Sequence, residues 1–68
     1  MKYQKGDLIE FIREIPGMNP YKGYALVMKA NDKGSMGGIY TFFRLNDSKE
    51  DTFFSYWVDD PEHAEKIG

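Results

Sequence analysis

The sequence predicts a mainly β domain: a small antiparallel meander of four to five strands that closes into a partly open barrel, with one short helical turn towards the C-terminal end. Three observations predict it. Gly23 to Leu45 reads as a long hairpin, GYALVMKA and IYTFFRL on either side of the eight-residue break NDKGSMGG. The other apolar residues fall in short runs between turn formers, a strand spacing rather than a helical one. Finally, 68 residues with five Phe, five Tyr, one Trp and no cysteine make one domain, residues 1–68, whose stability must come from packed rings.

Taken in order, Lys5-Gly6-Asp7 turns into a first strand over Asp7–Glu14, with Ile9, Phe11 and Ile15 on one face and Leu8 and Ile12 on the other. Ile15 to Gly23 holds two prolines and two glycines and is expected to be a surface loop. In the hairpin, Tyr24, Leu26 and Met28 alternate with Ala25, Val27 and Lys29, and Ile39, Thr41, Phe43 and Leu45 alternate with Tyr40, Phe42 and Arg44. The break Asn31–Gly38 is long for a hairpin and is expected to be a mobile tip. It is not a phosphate loop, because it leads into a strand instead of a helix and lacks the Lys-Ser/Thr pair.

Asn46–Asp51 is expected to be a polar turn, and Thr52–Val58, apolar at nearly every position, a fourth strand covered on both faces or presenting one to a partner. Asp60-Pro61-Glu62 has helix-start chemistry: a side-chain acceptor, a proline at the first helical position, and negative charge near the helix N-terminus. Ile67 is expected to close the end of the core, from that turn or from a short last strand.

Charge and residue types bound the chemistry. The formal net charge is −2, with a net +2 over residues 1–34 and −4 over residues 35–68. No apolar run approaches the roughly 20 residues that span a bilayer, and Lys2-Tyr3-Gln4-Lys5-Gly6-Asp7 lacks the apolar core of a signal peptide. A soluble, cytoplasmic protein is expected, without membrane attachment, metal or cofactor. His63 is the one histidine, and with Asp59, Asp60 and Glu62 it crowds a single short turn that cannot wrap a metal. Ser35, Ser48 and Ser55 have no setting that would activate a nucleophile, so no enzymatic activity is expected.

The order Lys5-Gly6-Asp7-Leu8-Ile9, a long irregular loop, Gly23-Tyr24-Ala25-Leu26-Val27, a hairpin, and an aromatic strand ending near Trp57 resembles the small Src-homology-like barrels. These include barrels in many short uncharacterised proteins of tailed bacteriophages. The resemblance covers Lys5 to Ile67 and implies a non-enzymatic binding module, phage-encoded and acting on a host protein. The chain lacks the acidic first-loop cluster and paired tryptophans of the peptide-binding members, which points away from proline motifs.

Three functions follow as expectations. The first is protein binding through an aromatic face of Tyr21, Tyr40, Phe42, Tyr56 and Trp57, with Asp47, Glu50, Asp51, Asp59, Asp60 and Glu62 steering a basic partner. The second is nucleic-acid binding through Lys22, Lys29, Lys33 and Arg44, with rings to stack on bases. The third is self-assembly, as a homodimer in its simplest form, through unpaired strand edges.

Overall fold

A computed structural model describes residues 1–33 and 37–67, so Gly34 to Met36 of the expected mobile tip lie outside the described residues. The elements are β1 (Leu8–Phe11), β2 (Gly23–Asn31), β3 (Ile39–Arg44), β4 (Lys49–Phe54), the one-turn helix α1 (Ser55–Val58) and β5 (Ala64–Lys66). They form one five-stranded sheet in the order β4-β3-β2-β1-β5, every neighbouring pair antiparallel. The mainly β meander read from the sequence is therefore present. It is not closed into a barrel, since β4 and β5 stand at opposite edges of the sheet.

The central hairpin falls where its alternation places it. Val27 pairs with Phe42 and Lys29 with Thr41, so Met28 is an extra residue forming a bulge in β2. At the far end Gly38 has φ 118°, and a Cβ there would sit 2.4 Å from the Asn31 carbonyl, so only glycine fits where the two strands meet. The turn Leu45–Ser48 is tighter than the sequence suggests, because Lys49, Glu50 and Asp51 already pair with Arg44, Phe43 and Phe42.

The expected fourth strand over Thr52–Val58 is corrected at its second half, which is α1. Two bonds show why the strand stops at Phe54: the Ser55 N–H turns to the Gly38 carbonyl at 2.9 Å, and the Asp59 N–H closes the helical turn on the Ser55 carbonyl at 2.8 Å. The single helical turn thus lies before Asp60, not after it. Asp60 instead holds a turn, accepting from the Glu62 N–H on its side chain and from the His63 N–H on its carbonyl, both at 2.9 Å. Ser55 to His63 carries the chain from one edge of the sheet to the other, and β5 then adds beside β1 as the short last strand.

One face of the sheet holds the whole core. Ile9, Phe11, Ala25, Val27, Tyr40 and Phe42 point inward and meet Tyr3, Ile15, Met18, Tyr21, Val58 and Ala64 from the irregular segments and β5. Phe11 is the hub, with ring centroids 4.9 Å from Phe42 and 5.8 Å from Tyr21. Only chain outside the four-stranded meander covers this side: the N-terminal segment, the loop after β1, and the crossover bearing Val58.

The one-sided core makes two adjacent residues behave oppositely. A domain of 68 residues has about 3–10 kcal/mol of stability in total, and truncating a buried Phe costs about 3–5 kcal/mol. Phe42→Ala is expected to leave the chain largely unfolded at 25 °C, whereas Phe43→Ser, on the opposite face, costs about 1 kcal/mol or less. Urea unfolding followed by circular dichroism measures both, and equal losses would contradict the assignment of faces.

Candidate functional site

Three of the five rings expected on a binding face are in the core. Tyr40 and Phe42 are fully buried and Tyr21 is 6% exposed, so none can meet a partner. The reason lies in their hydroxyls and neighbours. Tyr40 accepts from the Tyr3 N–H at 2.9 Å and donates to Asp59, while Tyr21 donates to the Tyr24 carbonyl and accepts from the Asn46 N–H at 3.3 Å. Trp57 is half-buried against the core, with His63 beside its ring and the His63 Nδ1–H donating to the Trp57 carbonyl at 2.8 Å. Tyr56 alone of the five stands clear in solvent, at 66% exposure.

Most of the expected acidic face is likewise committed within the fold. Asp47 and Asp51 hold the Arg44 guanidinium, the latter at 3.2 Å. Asp59 takes the Tyr40 hydroxyl and the Lys2 N–H, and Asp60 shapes its turn. Only Glu50 and Glu62 of the six are exposed and free of such bonds among the described residues. Arg44 also leaves the expected nucleic-acid set, being 8% exposed and stacked over the Tyr21 ring at 4.7 Å. Lys22, Lys29 and Lys33 remain on the surface, and Lys29 is turned by the bulge to the same side as Thr41.

What the structure does present is the other side of the sheet. Strand registers place Leu8 opposite Leu26, Leu26 opposite Phe43, and Phe43 opposite Glu50, giving one row across four strands. In the next row Glu65 lies opposite Glu10 and Glu10 opposite Tyr24, whose carbonyl accepts from the Leu45 N–H at 2.9 Å. Tyr24 and Leu45 are each 46% exposed; Leu8, Leu26 and Phe43 are half-buried, yet none belongs to the core cluster or packs against it. Met28, brought out by the bulge, and Ile12, past the end of β1, extend the patch. The same side therefore carries a contiguous apolar strip with carboxylates at its margins.

A cleft of about 330 Å³ lies in the loop after β1 and is lined by Glu14, Ile15, Pro16, Gly17, Met18 and Pro20. It offers a single carboxylate and no second titratable group, so it holds no acid–base pair. Among the described residues no helix is long and apolar enough to cross a membrane. Compared with protein-family models, curated proteins and solved structures, the chain finds no match.

Sequence reasoning missed the apolar strip because both alternations of the hairpin are apolar. A signal existed nonetheless: Ala25 and Val27 are the small residues that a close-packed interior between Phe11 and Phe42 admits, while Tyr24, Leu26 and Met28 are the larger set left outside.

The buried hydroxyls and the Arg44 cluster set how stability follows pH. Burial, reinforced by the charges of Asp59, Glu65 and Asp7, pushes the Tyr3 hydroxyl up to about 12, and burial followed by the bond to Asp59 raises Tyr40 further. Because the folded form holds the Tyr3 proton more tightly than the unfolded chain, whose value is 10.0, its contribution is complete below pH 10 and is lost as pH rises towards 12. Stability measured by urea unfolding is expected to fall across that window, and Tyr3→Phe to flatten the fall.

At the acid end the Arg44 bond holds the Asp47 carboxyl below its ordinary 3.8. That contribution is present above pH 3.8 and is lost as pH falls through the lowered value. Wild type is expected to exceed Arg44→Met in stability near neutrality, with the gap shrinking below pH 3.8. A gap that widened on acidification would refute the pairing as a source of stability.

Proposed function

We propose that the chain is a non-enzymatic protein-binding module and that the solvent-facing strip Leu8, Leu26, Phe43, Tyr24 and Leu45 is its contact surface. The observation that carries the proposal is that these apolar side chains share the face opposite the core and none of them belongs to the core cluster or packs against it. Exposed apolar residues scattered singly need no explanation, whereas a contiguous strip rimmed by charge is the form that interaction surfaces take. A sheet face holds its side chains in fixed register, so little ordering entropy is lost on contact. The locked Arg44 weighs against the nucleic-acid reading, because it removes the one expected cation of the second hairpin strand.

Affinity capture from a nuclease-treated lysate, comparing wild type with variants of equal folded fraction, tests the assignment. Leu26→Ser combined with Phe43→Ser is expected to lower recovery of a specifically retained protein at least tenfold, and Tyr56→Ser to leave it within twofold. Retention by the double variant, or loss through Tyr56→Ser instead, would move the contact surface away from the outer sheet.

A further inference from the structure

The margins of the strip state which kind of partner it fits, an inference that rests on the outer-face reading above. Glu10 and Glu65 are directly opposite in the β1–β5 ladder, an arrangement that places Cβ atoms about 4.5–5.5 Å apart and destabilises a sheet when the charges are alike. No cation of the described residues lies within 4.0 Å of either carboxylate; Lys66, adjacent to Glu65, reaches Asp7 at 3.5 Å instead. Protection of a sheet edge explains a charge on β5, but Glu10 is on β1, which is paired on both sides. At the other end of the strip Glu50 borders Phe43. Carboxylates thus stand at the Phe43 end of an apolar row about 10 Å wide, three strands at the usual spacing of about 4.8 Å, and in the row next to its Leu8 end.

We infer that the occupant of this face is a basic apolar segment of a protein partner: apolar side chains cover Leu8, Leu26 and Phe43, and a Lys or Arg enters between Glu10 and Glu65. Along β1, Leu8 and Glu10 are two residues apart, about 7 Å, so neighbouring side chains of one short segment reach both. The cation converts a repulsive cross-strand pair into a charge-assisted contact, so binding relieves a cost present in the free domain. The strip by itself would accept any apolar surface; the opposed carboxylates select among them.

Three twelve-residue peptides serve as probes, alternating Leu with Lys, Leu with Glu, and Ser with Lys, each titrated into the isotope-labelled full chain and followed by amide chemical shifts. The Leu/Lys peptide is expected to move the amides of residues 8–10, 24–26 and 43 and to bind at least tenfold more tightly than either control. Glu10→Gln with Glu65→Gln is expected to abolish that preference while raising Tm by about 1–5 °C. Equal binding of the two leucine peptides would overturn the basic partner and leave the outer-face reading standing, whereas no response to either leucine peptide would remove both. Equal binding of the Ser/Lys peptide would overturn the apolar part of the contact. A Tm unchanged or lowered by the double substitution would remove the repulsion on which the inference stands. A dimer at high concentration, abolished by Leu26→Ser with Phe43→Ser, would assign the face to a second copy instead.

Discussion

Two of the three segments that cover the core are held by the buried hydroxyl of Tyr40. It receives the Tyr3 N–H and gives its proton to Asp59, which also takes the Lys2 N–H, so one side chain of β3 ties the N-terminal segment and the crossover after α1 to the sheet. Tyr3 then passes its own hydroxyl to the Ala64 carbonyl and thereby reaches β5. Irregular chain packed over an apolar face must find partners for its polar atoms, because an unpaired donor or acceptor away from water costs about as much as a lost hydrogen bond. Among the described residues no buried side-chain nitrogen or oxygen is left without one. Tyrosine suits this work, since each ring fills volume that a short chain cannot fill with a second sheet, and each hydroxyl pins a loop.

The same economy leaves the other face bare. The segments outside the strands that bury apolar side chains are the first seven residues, the loop after β1, and the crossover, and those side chains all belong to the inner-face core. Among the described residues no member of the core cluster lies over Leu8, Leu26 and Phe43. A fold of this size can build one core, and an apolar residue placed on the other side of its only sheet must meet water or another molecule. The proposed contact surface is therefore a direct consequence of the one-sided architecture, and does not need a cavity or a special loop.

The hairpin and its partners were legible in the sequence because strand period, turn residues and β-branched or aromatic types agree over Gly23 to Leu45. The break at Phe54 was not. Thr52 to Val58 carries no glycine or proline, and its one polar residue at the break, Ser55, is no turn signal by itself; its N–H turns to the distant Gly38 carbonyl. The choice of inner face was hidden by Arg44. A residue bearing a full charge marks its alternation, with Tyr40 and Phe42, as the wet side; Asp47, Asp51 and the Tyr21 ring together make its burial tolerable and reverse that sign. The candidate strip was obscured for the same reason, since it is the complement of that face and only the small Ala25 and Val27 pointed to the inner side.

Arg44 also bears on how the two faces stay distinct. A strand whose alternations are both apolar has weakly specified register, because a one-residue slip exchanges one oily face for another. Slipping β3, together with the β4 it pairs with, against β2 would move Arg44 outward, take it off the Tyr21 ring, and bring Phe43 under the loop after β1. The bulge at Met28 adds a second mark, since the extra residue fits only one alignment of Val27 with Phe42 and Lys29 with Thr41. A buried ion cluster is weak evidence for stability as such; the contact that favours one register of an ambiguous hairpin over its neighbour is the stacking of Arg44 on Tyr21, outside the β3–β4 unit. The outer strip can then remain apolar without competing for the core.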